Sequence, residues 1–142
     1  MRPCAPNIRV ASVDTSVLVR SLTEDEDEQT RQAEAFLRSA GRVFISHVVL
    51  VEATSVLVTV YGLSRDEIRR ALDLLLNDES LAVERPELAA EALRLFRESS
   101  ADFADCLILA VSRAANELPL ATFDDAAGRL PGARRLGSKR KR

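Results

Sequence analysis

Residues 8–22, Ile8-Arg9-Val10-Ala11-Ser12-Val13-Asp14-Thr15-Ser16-Val17-Leu18-Val19-Arg20-Ser21-Leu22, decide the fold. Ile8–Val13 is a short apolar, β-branched run that reads as a strand. Asp14 breaks it, and a helix can start at once through Thr15–Leu22. A strand passing straight into a helix is half of a βα unit, and the rest of the chain repeats the alternation.

A second helix is predicted over about Asp27–Arg38, with Ala33, Phe36 and Leu37 on one face, and Gly41 ends it. Val43–Ile45 reads as the second strand. Ser46 caps a very apolar helix running to about Val60 and closed by Gly62. Ser64-Arg65-Asp66-Glu67 is a capping box, and Ile68, Leu72 and Leu75 give the next helix its apolar stripe. Leu81–Val83 is a weaker third strand, and Pro86 suits the first turn of a helix reaching about Glu98. Asp102 caps a helix through Asn116, Leu120–Thr122 is a strand, and Asp124 follows it. The expected fold is α/β, a parallel sheet flanked by helices.

The 142 residues suit one domain, 46% of them hydrophobic. Cys4 and Cys106 form no CxxC pair, which argues for a reducing compartment and against zinc. No apolar run approaches the ~20 residues of a membrane span, and the first residues lack a signal-peptide core. The expectation is a cytoplasmic protein with no membrane role. Residues 134–142 hold six of the 20 bases and no acid, so the remainder sets 22 acids against 14 bases, a charge of −8. Residues 1–136 are expected to form the domain and 137–142 a disordered basic tail. In that tail Lys139, Arg140, Lys141 and Arg142 are candidates for holding an RNA backbone. The acidic run Glu24–Glu28 reads first as a solvated loop, and otherwise as a recruiting surface for a basic partner.

The informative residues are acids in apolar surroundings. Glu52 falls inside Val48-Val49-Leu50-Val51-Glu52-Ala53, where an unpaired ionised carboxylate would cost several kcal/mol if buried. Helical spacing aligns it with Ser55 and Thr59 on a narrow polar seam, so the competing reading is a surface glutamate. Asp105 lies within Phe103-Ala104-Asp105-Cys106-Leu107, and its alternative role is helix-dipole stabilisation. Asp102 reads first as an N-cap. Asp14 and Asp124 follow strands, whose carboxyl ends open onto ligand crevices in open α/β sheets, although capping would also account for them. Were these acids to converge, an all-oxygen site would favour Mg²⁺ or Mn²⁺.

Other chemistries fail on particular residues. Haloacid-dehalogenase-like phosphatases want an acid two positions after the first, where Ser16 stands, and both they and receiver domains use a lysine near the phosphoryl group, whereas the only lysines are Lys139 and Lys141. No GxxxxGK[ST] or GxGxxG loop occurs. A paired-histidine ribonuclease is impossible with His47 alone, and His47 reads as a helix-start residue.

Five segments resemble the PIN-domain family, specifically its VapC-like toxins. They are Ala11-Ser12-Val13-Asp14-Thr15-Ser16-Val17-Leu18-Val19; Val43-Phe44-Ile45-Ser46 leading to Glu52; Tyr61-Gly62-Leu63-Ser64; Asp102-Phe103-Ala104-Asp105-Cys106-Leu107; and Ala121-Thr122-Phe123-Asp124. Their order and spacing carry the resemblance from about residue 8 to 136, with the basic tail outside it. The resemblance implies a three-layer α/β/α fold with a central parallel sheet. It implies a Mg²⁺- or Mn²⁺-dependent endoribonuclease, in which water attacks in line and leaves 5′-phosphate and 3′-hydroxyl ends.

The family's four acidic positions fall on Asp14, Glu52, Asp105 and Asp124, with Asp102 as an accessory. Asp14, Glu52 and Asp105 are then expected to ligate metal directly or through water, and Asp124 to position a second metal or the attacking water. Ser16, where the family often has Asn, and Thr122 are expected to orient carboxylates. The implied partners are RNA, a second copy of the chain and a cognate antitoxin, whose arginine could plug the acidic site. Alternatives of the same fold are a non-catalytic RNA- or protein-binding module and a housekeeping nuclease without an antitoxin.

Overall fold

In the computed structural model, residues 10–23, 25 and 27–137 are described. Val43–Ile45 (β2) is the middle strand of a three-stranded parallel sheet, with Val43 and Ile45 almost wholly buried and Phe44 turned outward at 42% exposure. It pairs on one side with Ala11–Ser12 (β1), Ala11 opposite Val43, and on the other with Leu81–Val83 (β3), Ile45 opposite Val83. The expected first strand contracts to two residues: Val10 is exposed, Val13 lies past the ladder, and Ile8 and Arg9 fall outside the described residues.

The chain divides at Glu84–Arg85 into two compact units. The first contains this sheet and four helices: Thr15–Leu22 (α1), Glu28–Ser39 (α2), His47–Thr59 (α3) and Arg65–Asn77 (α4). All four starts follow from a side-chain cap, that of α1 being Asp14. Asp27 accepts from Thr30 N at 2.8 Å, Ser46 accepts from Val49 N at 3.2 Å, and Ser64 and Glu67 exchange both bonds of a capping box. Each such cap contributes about 1 kcal/mol. Gly62, at φ 67°, turns the chain out of α3, with Leu63 N donating back to Leu57 O. Leu50, Ala53 and Leu57 of α3 and Ile68, Leu72 and Leu75 of α4 supply much of this unit's core.

The second unit contains Pro86–Arg97 (α5), Phe103–Ala114 (α6), Leu120–Thr122 (β4), Asp125–Gly128 (α7) and Ala133–Arg135 (β5). Ala89 and Ala92 are fully buried, small enough to let α5 lie close against α6. Phe96 meets Phe103 edge to face at 6.1 Å, and Arg113 of α6 pairs with Glu91 of α5 at 3.1 Å. β4 and β5 are parallel, Thr122 opposite Arg135.

Neither α7 nor β5 is expected from sequence. Arg134 and Arg135, counted there with the basic run, are strand residues. The rest of the tail, Lys139, Arg140, Lys141 and Arg142, lies outside the described residues. Gly128 lets α7 press onto β5: a Cβ on it would stand 2.7 Å from the Cβ of Arg135, whose guanidinium pairs with Asp125 at 2.5 Å. Gly128→Ala is therefore expected to destabilise the protein by about 1–3 kcal/mol through overpacking. Chemical denaturation checks this, and an unchanged midpoint would mean that α7 yields freely.

Candidate active site

In the first unit, Asp14 ends the β1 segment and caps α1. Its Oδ1 accepts from the Ser16 hydroxyl at 2.7 Å and from Val17 N at 3.2 Å. The Ser16 hydroxyl, then the Val17 N–H, hold the Asp14 carboxyl below the usual carboxylate range, so it is a fixed anion. Capping and presentation of charge coexist in this residue.

Glu52 departs from the expectation of a carboxylate buried on α3. Leu50, Ala53, Thr54 and Leu57 take the buried side, and Glu52 is exposed with Ser55 and Thr59. The polar seam wins because a glutamate on that stripe keeps its solvation while its neighbours fill the core. Glu52 is nevertheless not simply solvated. Its Oε2 accepts from the Thr15 hydroxyl at 3.2 Å, and it lines a cavity of about 570 Å³ together with Asp14, Thr15 and Ser16. Val49, Val56 and Val60 give that cavity apolar walls.

Arg20, also on the cavity wall, is engaged by Asp27 and by Asp25 at 3.7 Å, and Asp25 accepts from the Tyr61 hydroxyl at 3.1 Å. The described acids of the 24–28 run thus brace α1, α2 and the end of α3, where a solvated loop was expected; Glu24 and Glu26 lie outside the described residues. Sequence reasoning missed Thr15 and Arg20. Thr15 was legible only as part of a helix start, and its reach to position 52 depends on tertiary packing.

In the second unit, Asp102 stands at the N-cap position of α6 yet makes no side-chain capping bond, which removes its ordinary structural role. Asp105, one turn on, is half-buried between Phe103, Cys106 and Leu107, all buried. Burial, then the charge of Asp124, then that of Asp102, push its carboxyl up. Asp124 caps α7, its Oδ2 accepting from Ala127 N at 2.8 Å, while its own N–H donates to the Thr122 hydroxyl at 3.0 Å. Thr122 thus holds the turn that carries the Asp124 carboxylate and does not touch the carboxylate itself. His47 is a helix-start residue: its N–H donates to Glu84 Oε1 at 2.8 Å, and its buried Nε2 has no hydrogen-bond partner among the described residues.

The structure therefore brings Asp14 and Glu52 to one cavity of the first unit, and in the second sets the charges of Asp124 and Asp102 against a part-buried Asp105. Among the described residues no group of three or more His, Cys, Asp or Glu is arranged to hold a metal ion. The donor chemistry is carboxylate and hydroxyl oxygen throughout, which suits a hard divalent cation and not zinc. The elevated Asp105 carboxyl is what such a cation would relieve.

A sequence model of the PIN domain matches residues 11–133, and the chain belongs to that family. The α/β class and parallel strands expected from the sequence are those of the PIN fold. A protein described as a VapC ribonuclease from Aquifex aeolicus (strain VF5) is 29% identical over 99 residues, covering 67% of this chain and 73% of that one. The crystal structure of VapC20 from Mycobacterium tuberculosis, described as a sarcin-ricin loop cleaving toxin, aligns over 88% of this chain and 98% of its own, at 21% identity and a TM-score of 0.41.

The Asp105 environment has a consequence for stability. Its carboxyl titrates higher in the folded chain than in the unfolded one, so stability falls as pH rises from the ordinary aspartate value through the folded value. Asp105→Asn removes that penalty. In EDTA the variant is expected to be at least as stable as the wild type at pH 7, the difference closing below about pH 4, where both states hold the proton. Denaturation curves across pH test this, and a variant clearly less stable at pH 7 would make Asp105 a structural residue.

Proposed function

We propose that this chain is a Mg²⁺- or Mn²⁺-dependent endoribonuclease and the toxin of a toxin–antitoxin pair. The carrying observation is the set of fixed or strained carboxylates on a PIN fold: Asp14 held ionised by Ser16 and Val17, and Asp105 raised by burial and by its acidic neighbours. Similarity to a protein described as a VapC ribonuclease supports the same reading.

In this reading Asp14 and Glu52 of the first unit, and Asp105 of the second, are residues that would hold a cation, with Asp102 as an accessory, and Asp124 would position the attacking water. A bound Mg²⁺ or Mn²⁺ would supply Lewis-acid polarisation of a phosphoryl oxygen and a more acidic water. The chain's own part is to keep charge in place. Ser16 holds one oxygen of Asp14, and α7 with Thr122 fixes the backbone from which Asp124 projects. No histidine pair is required, consistent with His47 as the sole histidine.

Residues 1–136 act as the nuclease domain, and Lys139, Arg140, Lys141 and Arg142 add sequence-independent contacts to the RNA backbone. An antitoxin arginine suits the acidic cavity wall, because its planar fork pairs with carboxylates. A homodimer is supported by Ile108 and Val111, neighbours on one face of α6 and exposed by 49% and 40%. Among the described residues no helix is long and apolar enough to cross a membrane. With Cys106 a free thiol, a cytoplasmic site of action fits.

Purified chain incubated with mixed single-stranded and structured RNAs tests the reading. Cleavage is expected in Mg²⁺ or Mn²⁺, lost in EDTA, and reduced at least ~100-fold in Asp14→Asn, since removing a metal ligand's charge costs several kcal/mol of transition-state stabilisation. Cleavage that persists in EDTA or in the variant would contradict it. Silence with every RNA, while RNA is still bound, would favour a non-catalytic binding module.

A further inference from the structure

Three consecutive residues at the start of α1 address two carboxylates. Asp14 supplies one of them, Ser16 donates to it, and Thr15 between them reaches across to Glu52 on α3. We infer that Thr15 is a positioning residue for Glu52, holding its carboxylate in the orientation that receives a divalent cation. This rests on the reading of Glu52 as a metal-holding residue.

Glu52 is exposed, and an exposed glutamate samples many rotamers unless something holds it. Among the described residues its carboxylate accepts one hydrogen bond, from Thr15 Oγ1 to Oε2 at 3.2 Å. Thr15 is suited to that task. Its branched side chain is stiff at χ1, and as the first residue of α1 its hydroxyl has no carbonyl of a preceding helical turn to bond. The turn on which it sits is pinned by the bond from Val17 N to Asp14 Oδ1, so one carboxylate fixes the residue that fixes the other.

A plain structural tie between α1 and α3 is the rival explanation. Buried Leu18 and Val19 of α1 and Leu50 and Ala53 of α3 already anchor both helices, and the hydroxyl bond lies on the exposed side. Loss of the hydroxyl should therefore leave folding intact and act on the cation.

Calorimetric titration of Mn²⁺ into the full chain, with thermal melts in EDTA alongside, separates the two. Thr15→Val is expected to weaken Mn²⁺ binding about 10-fold, the scale on which partners of metal ligands act, with the EDTA melt unchanged. Thr15→Ser is expected to restore most of the affinity; should valine disturb the EDTA melt, Thr15→Ala replaces it. Wild-type affinity in the hydroxyl-less variant, or a loss that serine does not repair, overturns Thr15's role and leaves the metal reading standing. No Mn²⁺ uptake by the wild type would remove the metal reading, and Thr15's role with it.

Discussion

A part-buried carboxylate, raised first by burial and then by the charges of Asp124 and Asp102, is the constraint around which the second unit is arranged. Asp105 cannot retreat from Asp124 and Asp102, because the α6 turn that carries it also carries Phe103, Cys106 and Leu107, each of them buried. Phe103 is locked against Phe96, and α5 and α6 are joined through Ala89, Ala92 and the Arg113–Glu91 pair. Apolar packing therefore holds in place a charge arrangement that is unfavourable by itself. Strain of this kind at a candidate site is intelligible when a cation relieves it.

The first unit handles its acids differently. Asp14 is stabilised as an anion by a hydroxyl and a helix N-terminus, so its charge is compatible with folding in the absence of any ion. Glu52 avoids the desolvation cost by standing on the exposed seam of α3. Arg20, the cation on that cavity's wall, is engaged by Asp25 and Asp27, which leaves the Asp14–Glu52 end dominated by negative charge. Asp25 and Asp27, between α1 and α2, thus pair the cavity's basic residue where it stands.

Much of this was legible in sequence where local chemistry decides the outcome. Ser46, the Ser64–Glu67 box and Pro86 mark helix starts because caps and proline act within one turn, and Val43 and Ile45 mark a strand by alternation. What escaped depends on contacts between distant residues. Ala133-Arg134-Arg135 has no strand signature and becomes β5 only by pairing with β4, helped by the close approach at Gly128. The exposure of Glu52 turns on which stripe of an almost uniformly apolar helix faces the core, and composition says little about that. The Thr15–Glu52 bond spans 37 residues and could not be read from spacing.

Relief of carboxylate repulsion by a divalent cation is the claim on which the functional reading stands, and the dependence of thermal unfolding on Mn²⁺ reaches it most directly. A ligand that binds only the folded chain raises the melting temperature in proportion to the logarithm of its concentration above its dissociation constant. The expected result is a melting temperature that climbs with Mn²⁺ for the wild type and climbs much less for Asp105→Asn. A wild-type melt indifferent to Mn²⁺, or an equal rise in the variant, would contradict the assignment of these acids to a metal.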